Sequence, residues 1–379
     1  MKRQYSLLHI LAAVLIAVAI TLATVSGMLY HSIGGREGAE LLGKTNAVRK
    51  LISETYVGTA DWTAEGDGAA SALIASLGDR WSYYMTADEY EAYQNYSANV
   101  STGIGVTVRT EEDGGFQVLS VAAGSPAEEA GVEPGWIIAS VDGESVLDMD
   151  TTALKALLFG KEGEFEVGFF TDGSREQSFL ALHTASFFSS PVSYELLEGG
   201  IGYIDIDNFE SGAAENAISA IEELGAQGAQ AYIFDVRANP GGKLSELVEL
   251  LDYLLPEGEL FISLGRDGEE EIYSSDESCF DMPMAVLLDA NSYSAAEFFA
   301  AALSEYGWAE TVGQPSTGKG RSQVTYVLSD GSAVHISTRR YLTPDRIDLS
   351  EVGGLTPDIC VEMTDSGDAQ IEAARKYLS

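Results

Sequence analysis

The sequence predicts an α/β protein in which a C-terminal α/β core follows a small β-rich module and an apolar N-terminal helix. Three observations lead there. From Ile201 onward, short apolar runs of strand length alternate with helical runs, the pattern of a largely parallel sheet. Between residues 100 and 184 the apolar spacing shortens to a two-residue alternation, broken by glycine turns and by Asp142-Gly143. Ile10 to Tyr30 is mostly apolar, and as a helix it spans about 30 Å, enough to cross a bilayer.

The chain of 379 residues is long enough for more than one core. Lys2 and Arg3 precede the apolar stretch, and no Asp, Glu, Lys or Arg follows until Arg36. Residues 1–35 are therefore expected to be a cytosolic tip and a transmembrane signal-anchor, with the rest exported and held at the cell membrane by this single pass. Small residues at Ala17, Ala19, Ala23, Ser26 and Gly27 leave a cleaved signal peptide, and a secreted protein, as the alternative. The length of the apolar stretch favours the anchor. With 59 acidic and 21 basic residues the formal charge is −38, which excludes nucleic acid as a partner and favours solubility. Cys279 and Cys360 are the only cysteines, and one disulfide between them is open. No Cys-x-x-Cys or His-Glu-x-x-His pattern occurs, so no metal site is expected.

Residues 36–99 read as a helical region, with Leu41, Leu42, Val48, Leu51 and Ile52 on one face and a second run from Ala69 to Leu77. Trp81, Tyr83, Tyr84, Tyr90, Tyr93 and Tyr96 follow, and are read as packing. Residues 100–184 then predict strands at Ile104–Val108, Phe116–Val121 and Gly135–Val141, a helix at Thr151–Leu158, and strands at Phe165–Phe170 and Gln177–Leu182. With Gly103-Ile104-Gly105-Val106, Ser125-Pro126-Ala127 and Asp142-Gly143 in that order, this stretch resembles a PDZ domain. The resemblance implies that the backbone N–H groups of Gly103, Ile104, Gly105 and Val106 bind a peptide's terminal carboxylate while the peptide adds as a strand to the sheet edge.

Residues 185–379 hold the α/β core. Asp235-Val236-Arg237-Ala238-Asn239-Pro240-Gly241-Gly242 closes a buried strand and opens a helix, where open α/β sheets place their ligands. Ser294-Ala295-Ala296-Glu297 fits a capping box. The same serine stands on a strand-to-helix turn crowded with Asn291 and Ser292, where a hydroxyl is exposed beside backbone N–H groups. Gly318-Lys319-Gly320 follows after a further helix, and Gln323 four residues on.

These three phrases resemble those of the C-terminal processing, or tail-specific, peptidases, and the likeness runs from about Val48 to the C-terminus, including the closing strand Gly353-Gly354-Leu355-Thr356-Pro357-Asp358-Ile359-Cys360-Val361. It implies a serine peptidase core of the βα-spiral, crotonase/Clp-protease-like kind with the PDZ domain inserted. Ser294 would be the nucleophile, Lys319 its general base and Gln323 the residue orienting the lysine. The N–H groups of Gly241 or Gly242 and of Ala295 would form the oxyanion hole. A lysine serves as base only when neutral, so its pKa has to fall by roughly three units through burial. The resemblance further implies protein substrates with accessible C-terminal tails, cleaved near those termini, no cofactor, and helices available for a homodimer.

Alternatives follow from the same residues. Ser292 is a hydroxyl two positions from Ser294, so the nucleophile rests on register. Gly313 to Lys319 fits a phosphate loop, but Gly320 replaces the magnesium-binding hydroxyl and the following residues alternate as a strand. No Gly-x-Ser-x-Gly elbow exists, and His183 and His335 read as structural, as do Asp235, Arg237 and Glu305. A non-catalytic, membrane-tethered PDZ scaffold binding protein C-termini is the remaining reading, though it has no need of Ser294, Lys319 and Gln323 together.

Overall fold

Strands and helices alternate from Val192 onward and build one six-stranded sheet in a computed structural model that describes residues 7–111, 113–161, 163–171, 176–362 and 367–379. Val192–Leu197 runs antiparallel to Ile201–Ile206 at the edge. Ala231–Asp235, Met284–Leu288, Ala309–Gly313 and Ile359–Cys360 then add in that order, all parallel. Ala231–Asp235 and Met284–Leu288 are buried at every position, as parallel strands covered on both faces must be. One face carries the helices Ala213–Gln227, Leu244–Leu254 and Ala295–Glu305, which bring Ile221, Leu224, Leu250, Leu254, Phe298 and Phe299 into the main core. The other face packs Ile233, Ala285, Leu287 and Val312 against Ala374 of the helix Ala369–Tyr377. Ala231–Asp235 and Met284–Leu288 are neighbours, so the loops leaving their carboxyl ends, 236–243 and 289–294, emerge side by side. These are the two loops singled out by sequence.

A second, antiparallel sheet runs in the order Tyr83–Met85, Ala333–Leu342, Gly258–Leu264 and Glu270–Ser275, with Arg321–Val327 also paired to Ala333–Leu342. The hairpin Gly258–Ser275 is not foreseen from sequence. Tyr83 pairs with His335, which fixes the segment Asp79–Trp81 against the core. The expected helical region 36–99 therefore divides. Met1–Ala72 is one compact unit and Leu73–Ser379 the other, and the strand Tyr83–Met85 and helix Ala87–Ser97 belong to the second.

The β-rich module folds with Val106–Thr110, Phe116–Val121, Ile137–Val141, Glu164–Phe170 and Gln177–His183 in one antiparallel sheet. Asp142 at φ 48° and Gly143 at φ 76° make the two-residue hairpin turn that the Asp-Gly pair predicts. Its core gathers Phe116, Val118, Ile138, Leu154, Val167 and Phe169. Val106–Thr110 stands at the edge of the sheet, and the expected start at Ile104 moves to Val106 because Ile104 and Gly105 form a bend after the short strand Val100–Gly103, which pairs with Ala185–Phe188 instead.

In the first unit, Leu7–Ser32 is one helix. Its stretch His9–Ser32, with mean hydropathy 2.4, is long and apolar enough to cross a membrane. Lys2 and Arg3, on which the expected orientation rests, lie outside the described residues. Gly35–Thr55 follows, and Arg49 stacks its guanidinium 5.0 Å from the Trp62 ring centroid.

Candidate active site

Ser294 heads the helix Ala295–Glu305 with φ 59° and ψ −126°, a region that L-residues adopt only under strain, at a cost of about 1–3 kcal/mol. The strain is held by the flanking residues. Asp289 Oδ1 accepts N–H bonds from Ala238 and Asn291, each at 2.9 Å, tying the two neighbouring loops together. Ser292, fully buried, accepts the Asp289 N–H at 2.9 Å and donates its hydroxyl to the Val236 carbonyl at 2.7 Å. The two serines thus differ in kind: the Ser292 hydroxyl is a strut between strand ends. The Ser294 hydroxyl makes no side-chain cap bond, because the Glu297 N–H goes to the Ser294 carbonyl oxygen at 2.9 Å. The carboxylate arm of the expected capping box is made, with the Ser294 N–H donating to Glu297 Oε2 at 2.9 Å.

The glycine turn packs directly on this serine. A Cβ on Gly241 would lie 2.7 Å from Ser294 Cβ and 2.8 Å from Ala295 N, so only glycine permits the approach. Asn239 secures the turn: it accepts the Tyr293 N–H on its carbonyl at 3.1 Å and the Gly241 N–H on Oδ1 at 2.8 Å. The Gly241 N–H is thereby occupied, while those of Gly242 and Ala295 have no partner among the described residues. Asp235 and Arg237 brace the loop from behind through paired bonds, with Arg237 reaching Asp368 at 2.7 Å.

Glu297 joins the lysine to the serine. Its carboxylate is fully buried and accepts the N–H of Gly318 on Oε1 at 2.6 Å, the N–H of Lys319 on Oε2 at 2.8 Å and the hydroxyl of Ser316. Beyond this anchor the Lys319 side chain reaches two aromatic rings that pack on each other, with Nζ 4.8 Å from the Trp81 centroid and 5.6 Å from that of Tyr293. Burial pushes the Lys319 amine down to about 8, Arg80 adds to that, and Glu297, Asp79 and Glu210 pull the other way. A lysine in that range is partly neutral near pH 7 and can accept a proton.

Profiles of two families match the chain: peptidase family S41 over residues 200–361 and PDZ domain over 117–164. The chain is 30% identical over 372 residues to the carboxy-terminal processing protease CtpA of Bacillus subtilis, covering 96% of this chain and 79% of the relative. It belongs to peptidase family S41. A carboxyl-terminal-processing protease of Synechocystis is 28% identical over 326 residues, with 82% of this chain and 76% of the relative covered. A solved S41-type structure from Bacteroides fragilis shares the fold at a TM-score of 0.55 and 16% identity, covering 86% of this chain and 92% of that one.

For this S41 chain the residues expected from sequence do not all converge. Gln323 lies on the strand Arg321–Val327, where its amide donates to Ser337 Oγ at 2.9 Å and the Arg321 carbonyl at 3.2 Å rather than to Lys319. That strand also removes the phosphate-loop reading, which needs a helix after Lys319. His335 bonds Thr325 at 2.8 Å, and burial with Lys319 nearby pushes its imidazole down to about 4, leaving it neutral. Glu305 accepts the Asp345 N–H at 2.7 Å, a structural contact. Cys279 and Cys360 are both free and exposed.

Two roles are missed from sequence, where Glu297 reads only as the capping partner of Ser294 and not as the acceptor for Gly318 and Lys319. Glu297 is the one charged residue in the continuously buried run from Ala295 to Leu303, and a lone carboxylate in so apolar a run is the signal that could have found it. Trp81 was read as packing. It walls the lysine because Ser82, bonded to Asp79 at 2.7 Å, also accepts the Ser337 N–H at 2.9 Å and so pins the segment to the sheet.

Proposed function

We propose that the protein is a membrane-anchored, extracytoplasmic serine endopeptidase that cleaves protein substrates near their C-termini. The reading rests above all on one observation: Glu297 holds the backbone of Ser294 and of Lys319 on a single carboxylate oxygen, while burial keeps the lysine amine near neutrality. Ser294 Oγ attacks the peptide carbonyl as its proton passes to Lys319 Nζ. The N–H groups of Gly242 and Ala295, both unengaged, hold the oxyanion of the tetrahedral intermediate, worth several kcal/mol in such sites. Collapse breaks the C–N bond, Lys319 returns the proton to the leaving amine, and a water activated by the neutral lysine then frees Ser294 from the acyl group.

The unpaired sheet edge at Val106–Thr110, with the bend Ile104–Gly105 at its head, suits a substrate tail added as a further strand. The helix His9–Ser32 supplies the anchor, and the order in which strands and helices add to the large sheet supports a βα-spiral core of the crotonase/Clp kind. A PDZ scaffold without activity is not favoured, since binding tails requires neither a strained serine nor a buried lysine. The test is cleavage of an unfolded protein with an apolar C-terminus by wild type, Ser294→Ala and Lys319→Ala. Both variants should be inactive, and two variants as active as wild type would overturn the assignment.

A further inference from the structure

A groove of about 740 Å³ in the second unit lies between the edge strand Val106–Thr110 and the helix Thr151–Phe159 and reaches Val192 and Asp207 of the core. Its apolar part is formed by Ile104, Val106, Leu154 and Leu158. Only two of its lining residues are charged: Asp207, exposed on the core side, and Lys155, exposed on the helix. Lys155 makes no hydrogen bond or ion pair with any described residue. In a chain of net charge −38 an unpaired cation at the rim of a groove is a local reversal of the surrounding field.

A tail lying on the edge strand presents alternate side chains to the helix. If the last residue fills the apolar pocket beside Leu158, the third residue from the end faces the helix again, about 6.6 Å further along. Lys155 lies about 4.5 Å along the helix from Leu158, within reach of that position. An acidic side chain there meets the ammonium, while a basic one meets it with like charge.

We propose that Lys155 makes this groove select tails with an apolar last residue and Asp or Glu third from the end. The inference rests on the reading of the groove as the tail-binding site, and the following experiment separates the two. The full-length Ser294→Ala protein, in detergent, is titrated with fluorescein-labelled ten-residue peptides ending Asp-Val-Ala, Ser-Val-Ala or Lys-Val-Ala, and anisotropy is measured. Affinity should fall in that order, by about fivefold between the first and the last, and the spread should shrink at high salt. Adding Lys155→Glu should reverse the order, and adding Lys155→Met should abolish the charge preference while leaving the neutral tail bound. Equal affinity for the three tails, or an order unchanged by Lys155→Glu, overturns the inference while the tail-groove reading stands. No binding of any tail overturns both.

Discussion

Ser294 and Lys319 share one acceptor: their backbone N–H groups donate to the same Glu297 oxygen, at 2.9 and 2.8 Å. Two segments 25 positions apart in sequence are thus held at one point by a carboxylate that is itself fully buried. A buried charge is stable only when its donors are complete, so any slip of either segment is penalised.

Glu297→Gln turns one acceptor into an amide N–H₂ facing backbone donors. It should lower stability by about 3 kcal/mol or more and reduce kcat/KM over a hundredfold, read by urea unfolding and by cleavage of an unfolded substrate. Ser316→Ala removes one donor to Glu297 and the acceptor of the Leu355 N–H, and should cost about 1–3 kcal/mol. Equal stability of Glu297→Gln and wild type would show that the carboxylate is no strut.

The two serines should separate cleanly. Ser294→Ala is expected to abolish cleavage with stability within about 0.5 kcal/mol of wild type, since its hydroxyl makes no cap bond. Ser292→Ala leaves the Val236 carbonyl and the Asp289 N–H without their partner and should destabilise by about 1–3 kcal/mol. A Ser292→Ala enzyme that is fully stable yet inactive would move the nucleophile by two residues.

Activity should rise with pH through about 8, where burial places the Lys319 amine, and level off above it. Lys319→Arg, which stays protonated, should be inactive across the range. The same group makes a stability prediction. Between about 8, where folded Lys319 loses its proton, and its ordinary value of 10.5, the unfolded chain binds more protons. Stability contributed by this group therefore increases with pH across that window and is unfavourable below it. Urea midpoints of wild type and Lys319→Met compared at pH 7 and pH 10 should show wild type gaining on the variant.

Trp81 is half of the aromatic wall around the amine. Trp81→Ala admits water, and because burial dominates the lowering of Lys319 the acid limb of the kcat/KM profile should move up by on the order of 0.5–1 pH unit. A limb that stays in place or moves down would mean that the ring acts on the lysine mainly through its π face, which favours the charged form.

Gly241→Ala should fold with reduced stability and lose over a hundredfold in kcat. Its Cβ falls 2.7 Å from Ser294 Cβ, and its backbone sits at φ 88°. Thermal melting and single-turnover cleavage measure the two effects separately, and wild-type turnover by this variant would contradict the packing of the glycine turn on the serine.

Much of the fold was legible because its signals are local. The apolar runs at Ala231–Asp235 and Met284–Leu288 are continuous because both faces of a parallel strand are covered, and Asp142-Gly143 makes its turn whatever surrounds it. The hairpin Gly258–Ser275 was not, since one of its strands reads Glu-Glu-Ile-Tyr-Ser-Ser and takes its pairing from neighbours rather than from alternation. Likewise Trp81 carries no mark of its place: strand pairing between Tyr83 and His335, far apart in the chain, brings it over the lysine.

By itself the sequence determined the apolar N-terminal helix, the β-rich module, the parallel core and the phrases around Gly241, Ser294 and Lys319, because periodicity and backbone-demanding residues act within a few positions. Tertiary structure alone decided which serine hydroxyl is engaged, which glycine N–H is occupied and why the Lys319 amine is pushed down to about 8. Each of those depends on what lies a few ångströms away in space: Val236 on Ser292, Asn239 on Gly241, and Glu297, Trp81 and Tyr293 around the lysine.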